Sequence, residues 1–217
     1  MSTERNEILE SLKKAITEYD SERAATLAKE VIERGIDPIE ALDAMTGAIR
    51  QVGDGFARGE LWLPDLVGAA DAMSSAMPII EEELKRSGAK RVTLGTVVVG
   101  TVFGDIHSIG KTMVCALLVA EGFEVYDLGV NLKAEEFLEA IKRHDADILA
   151  MSALMTTTAP EQRRVIESLE KEGLRNKVKI MVGGGAITEE FAKEIGADGY
   201  DPTAPGAAKL ARKLAGK

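Results

Sequence analysis

The sequence predicts an α/β protein in which a four-helix bundle precedes a five-stranded parallel sheet. Three observations predict it. Apolar residues recur at helical spacing through about residue 86, and continuous β-rich runs begin at about residue 90. Those runs alternate with helical stretches, the pattern of a parallel sheet covered on both faces. The end of the first run opens into Gly104-Asp105-Ile106-His107-Ser108-Ile109-Gly110, which holds one of only two histidines.

In the first half, Ile8, Leu9, Leu12 and Ile16 mark one helical face. Asp20 caps a second helix carrying Leu27, Ala28, Val31 and Ile32, and Gly35 ends it. Asp37-Pro38-Ile39-Glu40 starts a third: Asp37 caps, Pro38 takes the first helical position and Glu40 closes the box. Met45, Ile49, Val52 and Phe56 continue its apolar face, and Gly55 and Gly59 bracket its end. A fourth helix begins near Pro64 and runs through Leu66, Met73 and Met77, with a kink expected at Pro78. Short joints make these an antiparallel bundle.

In the second half, strands are expected at 92–99, 123–128, 148–152, 178–182 and 199–200. Helices are expected at about 110–121, 134–144, 160–172, 188–195 and 204–215. Ligands of such sheets bind beyond the carboxyl ends of the strands, where His107, Ser152 and Gly183 all fall. The polar segment Lys85–Lys90 reads as a linker, giving domains 1–88 and 89–217.

Composition narrows the function. At 217 residues with a net charge of −9, the chain is poorly suited to bind nucleic acid through its phosphates. No run of 18 apolar residues exists, and the N-terminus is charged, so no membrane contact and a cytoplasmic location are expected. The single cysteine, Cys115, lies in an apolar run and reads as packing.

Asp105 gives His107 its interest. A carboxylate that accepts a hydrogen bond from one ring nitrogen fixes the tautomer and strengthens the other nitrogen as a donor to a metal. One imidazole cannot close a zinc site, and His144, between Arg143 and Asp145, reads as solvated. A metal at His107 must therefore bring most of its ligands with it, as a macrocycle does. The rival is a phosphate loop at Gly100–Gly104, but Gly104 to Thr112 is one residue too long for that motif. A dinucleotide Gly-x-Gly-x-x-Gly is missing too.

Asp105-x-His107-x-x-Gly110, 41 residues, Ser152-x-Leu154, 28 residues and Gly183-Gly184 together resemble the signature of cobalamin-binding domains, the base-off/His-on class in particular. The similarity extends to the cobalamin-binding modules of methionine synthase. It implies a Rossmann-like (flavodoxin-like) sheet, with His107 as the cobalt ligand and Asp105 behind it. Gly110 would let the loop pass close to the corrin, beside Ser108 and Ile109. Ser152 and Leu154 would line a slot for the nucleotide tail, the Ser152 hydroxyl bonding the displaced dimethylbenzimidazole. Gly183 and Gly184 would leave room for that tail. A hydroxyl that bonds the aspartate is expected at Thr158, with Thr156 and Thr157 as alternatives. Many methyl carriers have Asp and Asn where this chain has Ser108 and Thr112, which leaves the subgroup open.

The helical half resembles the cap of cobalamin-dependent methyltransferase systems. Leu61-Trp62-Leu63-Pro64-Asp65-Leu66 is similar to the cap segment over the methyl-bearing face, so Trp62 either shields the methyl group or packs in the bundle. The whole resembles the small corrinoid carriers of methylamine, methanol and betaine demethylation. That likeness implies three partners: a substrate-specific methyltransferase, a second methyltransferase acting on coenzyme M or tetrahydrofolate, and a reductive activase. It also implies a mobile joint at about 86–90, and proton uptake by the His107–Asp105 pair as the cobalt is reduced. A cobalamin-dependent mutase subunit and a corrinoid-sensing regulator are the alternatives. The first usually lacks this cap, and the second would bring a basic DNA-binding helix that the acidic bundle does not supply.

Overall fold

The computed structural model describes residues 2–87 and 93–216, with the side chains of residues 2 and 3 left aside. The chain forms two compact units, one through residue 92 and one from residue 93.

The first unit holds α1 (Ser2–Thr17), α2 (Ser21–Glu33), α3 (Pro38–Ala57) and α4 (Leu63–Ser87). Asp20 Oδ1 accepts from Arg23 N at 3.0 Å, and Asp37 Oδ1 from Ile39 N at 2.9 Å, so both expected caps satisfy first-turn amides. Glu40 turns to Arg5, at 3.3 Å, rather than back to its cap. Leu12, Ile16, Met45, Ile49, Leu66 and Ile80 are fully buried between the helices. Each stabilises the bundle by roughly 1.5–3 kcal/mol. Helix α4 continues through Pro78 and includes Lys85, Arg86 and Ser87. The linker expected from Lys85 therefore does not start there, and its remainder, 88–90, lies outside the described residues.

The second unit is a five-stranded, all-parallel sheet in the order β2-β1-β3-β4-β5. Its strands are β1 (Thr96–Thr101), β2 (Glu124–Asp127), β3 (Ile148–Ser152), β4 (Lys179–Gly183) and β5 (Gly199–Tyr200). The helices are α5 (Ile109–Glu121), α6 (Ala134–His144), α7 (Ala159–Lys171), α8 (Glu189–Glu194) and α9 (Ala204–Leu214). Alternate strand residues point to opposite layers. Val97, Val99, Ile148, Ala150 and Met181 pack against Leu118 of α5 and Ala207 and Ala211 of α9. Val98, Leu149, Met151, Ile180 and Val182 pack against Phe137, Ile166 and their neighbours on the other face.

Strand β1 begins and ends later than the apolar run suggests; Val92, the run's first residue, lies outside the described residues. Thr96 is the first residue paired to β2, its amide donating to Asp147 Oδ2 at 2.8 Å. Gly100 and Thr101 belong to the strand, not to a phosphate loop. A Cβ on Gly100 would stand 2.5 Å from Leu132 and 2.6 Å from Phe137, so only glycine lets this packing close.

The strand order reverses at β1. Strand β2 lies on one side and β3 on the other, so the connections after β1 and β3 run to opposite faces of the sheet, and the carboxyl edge at such a switch point is where sheets of this kind bind ligands.

Candidate functional site: a braced imidazole at the carboxyl edge of the sheet

The loop after β1 carries Asp105 and His107 at that edge. Asp105 is fully buried. Its Oδ1 accepts from His107 Nδ1 at 2.7 Å and from His107 N at 3.0 Å. Its Oδ2 accepts from Leu154 N at 2.8 Å, Met155 N at 3.4 Å and Thr158 Oγ1 at 2.8 Å. Burial by itself pushes this carboxyl up. The donors from His107, Thr158 and Leu154 outweigh burial and hold it well below the usual carboxylate range. The group is thus an anion at all ordinary pH values.

A carboxylate can only accept, so Nδ1 carries a proton, and in the neutral imidazole the lone pair is on Nε2. The ring is 48% exposed although its partner is wholly enclosed. Thr101, fully buried, donates through Oγ1 to His107 O at 3.0 Å and fixes the backbone of the same residue.

The surrounding surface is apolar. Of the seven large exposed hydrophobic residues among those described, five lie on the loops after β1 and β3 or on the first turn of α5: Phe103, Ile106, Ile109, Leu154 and Met155. Ile106 is 74% exposed and Ile109 66%. Such residues concentrated on one edge mark a contact surface.

Thr101, Ser152 and Gly183 are direct cross-strand partners in register, so they form a row on one face at the end of β1, β3 and β4. At Gly183 a Cβ would meet only Asp201 O, at an ordinary 3.6 Å, and at Gly110 nothing lies within 4 Å. The chain's own packing demands glycine at neither place. Gly184 differs: its φ is +114°, and a Cβ would fall 2.0 Å from Ala153 O. Its missing side chain serves the approach of two loops of the protein itself.

Thr158 is buried against Asp105, whereas Thr156 and Thr157 are exposed on the same loop. Ser108 occupies the position before α5 without a side-chain capping bond. Trp62 is 74% exposed just before α4, so it is no part of the bundle core. His144 is half-buried and stacks on Tyr126, ring centroids 3.6 Å apart, instead of standing in solvent. Cys115 Sγ lies 3.7 Å from Asp127 Oδ2, and burial followed by that carboxylate pushes its thiol up to about 12. Among the described residues, no group of three or more His, Cys, Asp or Glu side chains could hold a metal by itself.

One exposed imidazole with a fixed tautomer, an apolar rim and two glycines without an internal purpose fit a flat metal macrocycle that needs a single protein ligand. The fold and this site define a B12-binding protein. Residues 95–209 match the family model described as the B12 binding domain, and residues 8–81 match a second model of the same description. Trimethylamine corrinoid protein 1 of Methanosarcina acetivorans is 43% identical over 201 residues, 92% of this chain and 93% of that protein. Dimethylamine corrinoid protein 3 of the same organism is 41% identical over 214 residues, 99% and 92% of the two chains. The crystal structure of the methanol:cobalamin methyltransferase complex MtaBC from Methanosarcina barkeri contains a chain with TM-score 0.83 and 34% identity, aligned over 97% of this chain and 80% of that one. This chain belongs to the family of B12-binding corrinoid proteins.

The sequence pointed to Asp105, His107 and Thr158. It did not single out Thr101, because a threonine closing a strand is unremarkable until its hydroxyl is seen on the His107 carbonyl. Its place four residues before an Asp-x-His pair was the only available signal.

Proposed function

We propose that this chain is the methyl-carrier subunit of a corrinoid-dependent methyltransferase system, holding its corrinoid base-off with His107 as the lower ligand. The carrying observation is the hydrogen bond from His107 Nδ1 to the buried Asp105 carboxylate, which leaves Nε2 as the available donor nitrogen. When bound, the corrinoid supplies a cobalt centre that holds a methyl group between two transfer reactions.

The chain's own part is to bind, orient and hold a proton. Asp105 keeps the proton on Nδ1 and raises the donor strength of Nε2. Were the ring to leave the metal, the anionic Asp105 on Nδ1 would favour a second proton at Nε2. Thr158 keeps Oδ2 occupied, so the carboxylate stays aimed at the ring. Ser108, Ile109 and Gly110 would border the macrocycle. Ser152, Leu154, Gly183 and Gly184 would border the slot for the nucleotide tail, with the Ser152 hydroxyl placed to bond its base and Thr156 at the rim. Trp62 would shield the methyl group.

The names of the relatives support a methylated amine or methanol as the first donor, delivered by a separate substrate-specific methyltransferase. Betaine belongs to the same donor class. A second methyltransferase passes the methyl group to coenzyme M or tetrahydrofolate, and a reductive activase restores oxidised carrier. On this reading the chain works in the cytoplasm; no helix among the described residues is long and apolar enough to cross a membrane.

The test is electron paramagnetic resonance of protein loaded with cob(II)alamin after labelling of histidine with nitrogen-15. A doublet from axial nitrogen-15, absent in His107→Ala, is the expected result. An unlabelled nitrogen triplet that persists in His107→Ala overturns the assignment.

A further inference from the structure

We infer that Asn131, in the loop between β2 and α6, is a positioning residue for the His107 ligand. The inference rests on the reading of His107 as the corrinoid's lower ligand.

The β2–α6 loop runs beside the end of β1 as a crutch. Leu128 N donates to Val99 O at 2.9 Å, Thr101 N to Gly129 O at 3.0 Å, and Leu132 N to Thr101 O at 3.1 Å. An isolated parallel bridge joins Val102 to Leu132. Past that bridge the strands end, and the ligand loop turns away at Gly104, whose φ is +78°. Asn131 takes over the support there. Its backbone N–H donates to Asp105 O at 2.9 Å, and its side-chain Oδ1 accepts from Gly104 N at 2.8 Å. The donor is an amide N–H, so the facing atom of Asn131 must be its oxygen. One residue therefore grips both sides of the Gly104-Asp105 step. That step sets the direction in which Asp105 enters the interior.

Asn131 itself sits at φ +59°, a left-handed conformation that Asn tolerates better than most side chains. In that conformation its N–H and its side-chain oxygen are both turned toward the same stretch of chain. Without the clamp, Asp105 keeps its five donors, but the peptide before it loses its outside support. The line from Oδ1 through the ring to Nε2 then loses its fixed direction.

The effect is predicted from how supporting shells act. Removing a group that orients a metal ligand weakens ligation by about 10- to 100-fold. Asn131 acts one bond further out, so the ratio of ring-bound to ring-free corrinoid should fall about tenfold in Asn131→Ala. Asn131→Asp keeps an acceptor and tolerates the backbone, and should restore ligation. Asn131→Gly keeps the backbone and its N–H but lacks the acceptor, and should fall between the two.

Two measurements test this. The first is nitrogen-15 NMR of the corrinoid-free protein with His144→Gln in the background, which leaves His107 as the only imidazole. Asn131→Ala should move the His107 Nδ1 and Nε2 resonances and the Gly104 amide, and Asn131→Asp should bring them back. The second is the axial nitrogen-15 signal of the same variants loaded with cob(II)alamin. Resonances and axial signal that match the parent in Asn131→Ala overturn the inference, as does equal loss in the Ala and Asp variants. If Asn131→Ala does not fold, the Gly and Asp pair decides in the same way: Gly below Asp supports it, Gly equal to Asp overturns it. If the parent itself shows no histidine nitrogen on cobalt, the assignment of His107 fails. The corrinoid-free resonances still report whether Asn131 sets the ring.

Discussion

The two units bury polar groups very differently. Among the described residues, the buried polar and charged side chains are Thr101, Asp105, Lys111, Thr158 and Gln162, and all five belong to the sheet unit. The helical unit keeps its charges outside, in ion pairs such as Arg58 with Glu60 and Arg5 with Glu40. A buried polar group is stabilising only when its partners are in place, and a surface ion pair contributes little either way. The sheet unit therefore trades stability for fixed geometry, and three of its five buried polar groups do so around one imidazole. Thr101, Asp105 and Thr158 brace His107 or its neighbour. Lys111 pairs with Asp127 and ties the first turn of α5 to the end of β2.

The comparison breaks most readily at Asp105. Asp105→Ala leaves several enclosed donors unpaired and should lower stability by about 3–5 kcal/mol in denaturant unfolding. Glu60→Ala on the helical unit should leave the unfolding curve unmoved. The same carboxyl gives a pH dependence. Its folded pKa lies below the unfolded value of about 4, so its contribution is complete above about pH 4 and is lost as pH falls through the folded value. Asp105→Asn should flatten that acid limb; an unchanged limb would show that other carboxylates cause it.

A smaller effect is expected at Gln162, whose Nε2 donates to Met151 O at 3.1 Å and Gly183 O at 3.2 Å across β3 and β4. Its Oε1 is buried without a partner among the described residues. Gln162→Met removes two bonds and one unsatisfied oxygen together, so the net loss should be about 1 kcal/mol. A loss as large as that of Asp105→Ala would contradict this balance.

The smallest effect belongs to Trp62. Trp62→Phe should change stability by less than about 0.5 kcal/mol, because the indole is exposed. As the only tryptophan, it should emit as a solvated indole in the corrinoid-free protein. A blue-shifted emission would place it in a packed interior.

Much of this was legible in the sequence because the informative residues lie close together along the chain. Asp105 and His107 are two residues apart, and β3, 148–152, is a bounded apolar run that coincides with the expected strand. The apolar run 92–99 starts ahead of β1, because Val-Thr-Leu composition does not say where pairing with β2 begins. Asn131 and Gln162 were not legible. Their contacts span 27 residues to Gly104 and 21 residues to Gly183, and neither belongs to a local pattern. Trp62 could be read either way, because its spacing fits both a buried face and the exposed corner where it lies.

Asp105 also stitches two loops that leave the sheet in opposite directions. One of its oxygens serves the loop after β1, and the other serves Leu154, Met155 and Thr158 after β3. A pull on the imidazole along its Nδ1 bond is therefore felt at Thr158, the residue from which α7 starts. The start of that helix and the imidazole thus share one carboxylate.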